Sequence, residues 1–117
     1  MIGGKLTKEK AIEILRSLPE ENAFVFHKPT GEPLGLSAKS LSEFSDAIKS
    51  ADPSSIKYHV DRGDFENWIR MLGDETLAKQ VASVRGKGLQ GEDLKLQLIR
   101  LVRLRLGRLR KAASVQT

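Results

Sequence analysis

His59 stands two residues before Asp61 and five before Asp64. That is close enough for a carboxylate to orient an imidazole as a general base. Such a pair needs a nucleophile or a third convergent group before it can do chemistry, and none lies nearby in the sequence. His59 also shares a helical face with Ile56 and Val60, so a core position is the simpler reading. The chain contains no cysteine, which removes disulfides, thiolate nucleophiles and Cys-based zinc sites. Two histidines, His27 and His59, are too few for a metal site built on His alone. Gly86-Lys87-Gly88 lacks the spacing of a phosphate loop and no strand precedes it. The residue types predict neither catalysis, nor a metal, nor a cofactor.

A second pattern carries more. Lys57, Tyr58 and Arg62 precede Phe65, Trp68 and Arg70, while Phe24, Phe26 and Lys28 lie together upstream. Single-stranded nucleic acid is held by planar side chains that stack on bases, at about 1–3 kcal/mol per base, and by Lys and Arg along the phosphates. The competing reading makes Phe65, Trp68, Ile69 and Leu72 the core face of one amphipathic helix. For Phe65 and Ile69 the core is preferred; Trp68 and Tyr58 stay open, because each has a polar edge that tolerates a partly wet cleft. With only six aromatic residues, any one placed in a cleft is taken from the core.

These residues must be positioned by short elements. Thr7 caps a helix with Ala11, Ile12, Leu15 and Leu18 at helical spacing, ended by Pro19. Phe24-Val25-Phe26-His27 and Leu34-Gly35-Leu36-Ser37, joined through Lys28-Pro29-Thr30-Gly31, read as a β-hairpin that needs helices or another chain to rest on. Ser40-Leu41-Ser42-Glu43 is a capping box opening a helix with Leu41, Phe44, Ala47 and Ile48 on one face. Asp52-Pro53 opens the next, which Gly63 stops. Asp64 caps a helix stopped by Gly73, and Asp74 caps one that stops near Gly86. The expected class is α+β: a small hairpin on several short helices, followed by a long C-terminal helix.

The chain has 117 residues and a net charge of +5, with a pI near 9.7. Residues 1–89 carry 13 Lys and Arg against 13 Asp and Glu, so the whole excess lies in residues 90–117. The division falls at Gly86-Lys87-Gly88-Leu89-Gln90-Gly91. The expected organisation is a domain over residues 1–85, a Gly-rich hinge over 86–91, and a basic, Leu-rich helix and tail over 92–117. In that helix Leu94, Leu98, Ile99, Leu101, Val102, Leu106 and Leu109 gather on one broad side. Arg100, Arg103, Arg110 and Lys111 gather on the other, with Leu96 and Leu104. The apolar side must be buried. It can dock on its own domain, zip with another copy, or lie on an anionic membrane. The hinge and the helix length favour self-association, with a tetramer preferred to a dimer because the stripe exceeds a two-helix seam. The lack of Trp, Tyr and Phe disfavours the membrane. No apolar run reaches the roughly 18 residues of a spanning helix, and Met1-Ile2-Gly3-Gly4-Lys5 lacks a leader's apolar stretch. A soluble, cytoplasmic protein is expected.

Phe24-Val25-Phe26, the Gly31…Gly35 turn, Ser40-Leu41-Ser42-Glu43-Phe44, Ser55-Ile56-Lys57-Tyr58-His59, Arg62-Gly63-Asp64-Phe65 and Trp68-Ile69 occur in that order. Together, over about residues 7–85, they resemble the N-terminal domain of the ThermoDBP-related family of archaeal single-stranded DNA-binding proteins. The resemblance implies an apolar cleft with basic flanks for a single strand, oligomerisation through elements outside that domain, and a nucleoid-associated location. Few Asn and no Cys, with many Lys, Arg and Glu, agree with a thermophilic source. The expected function is non-catalytic binding of single-stranded DNA by a homo-oligomer. Lys28, Lys39, Lys57, Arg62 and Arg70 would hold phosphates, Phe26, Tyr58 and Trp68 would face bases, and Arg85 and Lys87 would extend the track. The alternatives are an RNA-binding protein, since the same physics applies, and an oligomeric protein-interaction module that ignores nucleic acid.

Overall fold

The computed structural model describes residues 6–115; the Met1–Lys5 stretch, with its expectation about a leader, and the last two residues of the tail lie outside the described residues. Helix α1 (Lys8–Leu15) leads through a 3₁₀ turn (Glu20–Asn22) into strands β1 (Phe24–His27) and β2 (Pro33–Ala38). Five helices follow: α2 (Leu41–Ser50), α3 (Pro53–Arg62), α4 (Asp64–Leu72), α5 (Glu75–Gly86) and α6 (Gly91–Ala113). The class is α+β, as the residue patterns imply.

Local chemistry sets most boundaries. Thr7 Oγ1 accepts from the Lys10 amide at 3.1 Å, and Ser40 Oγ accepts from the Glu43 amide at 3.2 Å while Glu43 reaches back to the Lys39 amide. Asp52 caps α3 through the Ser54 amide; Gly63 and Gly73 end α3 and α4 in the left-handed conformation. Helix α1 stops at Leu15 rather than running to Pro19. Pro19 biases Leu18 toward extended backbone, and the Leu18 amide donates instead to Lys39 O at 2.7 Å. Its buried face is Ala11 and Ile14, and Ile12 points to solvent. Strands β1 and β2 pair antiparallel through Phe24↔Ala38, Val25↔Ser37 and His27↔Pro33. Two extra residues of β2 bulge between the last two pairs, a bend that Gly35 permits at φ +75°.

Helix α6 departs from its sequence-based assignment. It packs against α1, α2, α3 and α5 of the same chain. Leu94, Leu98, Val102, Leu106 and Leu109 are each at most 3 % exposed inside the protomer, with Ile99 and Leu101 partly buried against the same core. The expected oligomer seam is therefore the floor of the domain's own core. A stripe spanning roughly half the helix circumference suits a helix lying across several others; a two-helix seam is narrower. Polar contacts fix its register: Arg105 holds Asp74, and Lys95 Nζ donates to Ala51 O at 2.9 Å. Residues 86–91 accordingly form a corner between two packed helices, with Gly88 and Gly91 at positive φ. No described helix is long and apolar enough to cross a membrane.

Candidate functional site

A cleft of about 430 Å³ opens between the hairpin and the α3–α4 corner. His59 forms its floor. The imidazole is 2 % exposed, Nε2 accepts from the His27 backbone N–H at 2.9 Å, and Nδ1 lies 2.8 Å from Asp64 Oδ2. The backbone donor assigns the tautomer: Nε2 holds the lone pair, so Nδ1 carries the proton and donates to Asp64. Ser55 Oγ donates to the same residue's carbonyl, His27 O, at 2.7 Å. Residues of α3 thus complete the outer edge of β1. With its only lone pair engaged, His59 is a strut between β1 and the α3–α4 corner rather than a base. Asp64 makes no cap contact on α4, contrary to expectation; it joins His59 to Arg62, whose Nε lies 3.0 Å away.

Burial pushes the His59 pKa below its ordinary value, outweighing the opposing hydrogen bond and charge of Asp64, while His27 and Arg62 add to the lowering. The folded chain therefore refuses a proton that the unfolded chain accepts. Stability should be level above about pH 6.5 and fall as pH drops below it, with a slope approaching ~1.4 kcal/mol per pH unit until His59 itself protonates. Urea unfolding between pH 7.5 and 5.0 reads this slope, and His59→Gln should flatten it.

The positions expected to bind nucleic acid scatter. The cavity gathers only Tyr58 and Arg62, with Val25, His27 and Asn67 beside them; the Arg62 guanidinium already lies 5.1 Å from the Tyr58 ring centroid. Phe26 is wholly buried and Trp68 is 7 % exposed. Both belong to an aromatic cluster with Phe24, Phe44 and Phe65, whose ring centroids lie 4.9–5.9 Å apart. Trp68 Nε1 donates to Asn22 O at 2.9 Å, so its polar edge serves the core. A domain with so few aromatic rings needs five of them inside, which leaves Tyr58 as the remaining one. Phe26 and Trp68 offer no face to a base.

The basic residues are mostly engaged as well. Lys57 pairs with Asp61 at 2.7 Å, Arg70 with Glu75 at 3.0 Å, and Lys39 with Glu20 at 3.8 Å. Arg85 reaches the buried Glu66 at 2.7 Å. Lys28 and Lys87 are exposed and make no ion pair among the described residues. There is no continuous phosphate track over this part of the surface.

The cationic surface lies instead on the outer face of α6. Arg100, Arg103, Arg108, Arg110 and Lys111 are exposed there and have no carboxylate partner among the described residues. They span about 16 Å at 1.5 Å per residue. Leu104, 67 % exposed, and Leu96 share that face. The signal was present in the sequence as the polar side of the Leu-rich helix.

No curated protein and no solved structure matches the chain. A family profile does, over residues 6–103, and it runs without interruption from α1 across the 86–91 corner into α6. The described fold explains that extent, because the core is incomplete without the last helix. The chain belongs to a family of unknown function, DUF5752.

Proposed function

We propose that the protein is a non-catalytic binder of single-stranded DNA that grips phosphates along the outer face of α6. The observation carrying this reading is the segregation of charge. Seven Lys and Arg outside α6 face carboxylates, whereas Arg100, Arg103, Arg108, Arg110 and Lys111 line one face of α6 with no carboxylate partner among the described residues. Such a stripe neutralises a polyanion without rearranging internal ion pairs. The ThermoDBP-like order of motifs supports a single strand as ligand, and a nucleoid-associated location accompanies that reading. Base stacking is reduced to Tyr58. Because the apolar stripe of α6 lies in the core, this reading uses a single protomer.

A fluorescent oligo(dT) should bind with an affinity that falls steeply as salt rises, and each phosphate contact removed by an Arg→Gln change on α6 should lower the log–log salt slope by about 0.7. Trp68 emission should not change on binding. Undetectable binding at low salt would sink the proposal, and Trp68 quenching would restore the stacking cleft. Competition by duplex DNA and single-stranded RNA sets the strand preference. Leu104, exposed amid arginines, favours a second reading: an acidic protein partner. Leu104→Ser should then abolish partner binding, while leaving oligo(dT) affinity within about twofold if DNA is the ligand.

A further inference from the structure

Between α2 and the C-terminal half of α6 lies a groove of about 190 Å³. Gly107 leaves it open: a Cβ there would meet nothing within 4 Å. Three cations line it, Lys49 from α2 and Arg103 and Arg110 from α6, against one carboxylate, Asp46, which sits 3.8 Å from Lys49. Two hydroxyls complete the lining. Arg110 Nη2 donates to Ser42 Oγ at 3.1 Å, so the Ser42 hydroxyl keeps its own proton to offer elsewhere. Ser45, 4 % exposed, lines the same groove.

We propose that this groove is a phosphate-binding site, in which Ser42 and Ser45 donate to phosphate oxygens and Arg103, Arg110 and Lys49 balance the charge. Three cations less one carboxylate leave +2, which matches a phosphate group carrying about −1.5 to −2 at neutral pH and exceeds a phosphodiester's single charge. The proposal deepens the reading of α6 as a phosphate-gripping face and rests on it for one of two sources, the backbone of a bound strand; the other source is a free phosphate or small phosphoester. Gly107 makes the site specific, since any side chain there would reach toward the space the phosphate takes.

Titrating the full ¹⁵N-labelled chain with inorganic phosphate should move the Ser42, Ser45 and Gly107 amides along saturable curves. Gly107→Leu fills the groove without changing charge, and Arg103→Gln removes one of its cations; each should weaken phosphate at least tenfold. Lys79→Gln, an equal charge change on α5 outside the groove, should leave it within twofold. Equal losses in Arg103→Gln and Lys79→Gln, or shifts spread along α6 without saturation, would overturn the site. So would phosphate binding to a folded Gly107→Leu chain as tightly as to the wild type. Oligo(dT) supplies the second arm. Phosphate held in the groove with no oligo(dT) binding keeps the site and removes the nucleic-acid reading. Oligo(dT) binding insensitive to both Gly107→Leu and Arg103→Gln, with inorganic phosphate lost in both, keeps the site and assigns it to a free phosphate or phosphoester; the same insensitivity with phosphate unaffected removes the site.

Discussion

A chain ended after Gln90 should not fold. It would lose Leu94, Leu98, Val102, Leu106 and Leu109, which are all buried within the protomer, and expose the faces of α1, α2, α3 and α5 that they cover. At about 1.5–3 kcal/mol for each buried aliphatic side chain, the five together contribute roughly 7–15 kcal/mol, as much as the whole stability of a typical domain. Circular dichroism and urea titration of residues 1–90 should show little helix and no cooperative transition. The hinge-and-seam arrangement predicts the opposite: a folded 1–90 domain that has lost only its assembly. A single substitution separates the two as well. Leu98→Ala should cost about 2–5 kcal/mol of unfolding free energy with no change of mass in light scattering, where the full chain should run near its 13.0 kDa protomer mass. If Leu98→Ala instead dissociates an oligomer and leaves the domain's midpoint unmoved, the packing of α6 described above is wrong.

Removing Asp74 should rank next in cost. Its carboxylate is 1 % exposed and serves three donors. Oδ1 accepts from the Leu77 amide at 3.0 Å and from Arg105 Nη2 at 2.9 Å, and Oδ2 accepts from Arg105 Nε at 2.8 Å. One residue therefore caps α5 and anchors α6. Asp74→Ala leaves a largely buried guanidinium without its counter-charge, and Arg105→Ala leaves the carboxylate so. Breaking a buried pair from one side costs about 3–5 kcal/mol, and Asp74→Ala adds about 1 kcal/mol for the lost cap. The double replacement Asp74→Ala with Arg105→Ala should be less destabilised than the sum of the single changes, because no charge is then stranded, though it cannot recover the cap. Urea midpoints of the three variants give the coupling directly. Strict additivity would mean that the pair does not hold α6 in register.

Asp74 also marks the limit of what the residues revealed. Its capping role is local: a side chain three residues before an amide either fits or does not, and the sequence shows the spacing. Its bond to Arg105 joins positions 31 residues apart, and no periodicity in either segment announces it. Asp64 shows the same limit from the other side. Helix α4 begins one residue earlier than its spacing suggests, with Gly63 at the cap position, so Asp64 is its first helical residue and its Oδ2 serves His59 and Arg62 instead. Helix α1 ended early for a comparable reason, its last turn giving way to a contact with the loop before α2.

The residues by themselves determined the elements, the α+β class, the caps at Thr7, Ser40, Asp52 and Asp74, and the position of the charge. All of these depend on near neighbours along the chain, where spacing alone decides which groups meet. They also determined that α6 has an apolar side too wide to stay exposed, and that side is the origin of its fate. Only the tertiary structure decided what covers it. Burial is non-directional, so a Leu stripe is satisfied equally by another copy or by four helices of its own chain, and the pattern cannot choose. The same indifference governed the aromatics: Trp68 and Phe26 suit a cleft or a core alike until the number of rings needed inside is known. Packing resolved both at once. It drew the rings and the stripe inward and left the unpaired arginines of α6 as the surface on which function is proposed.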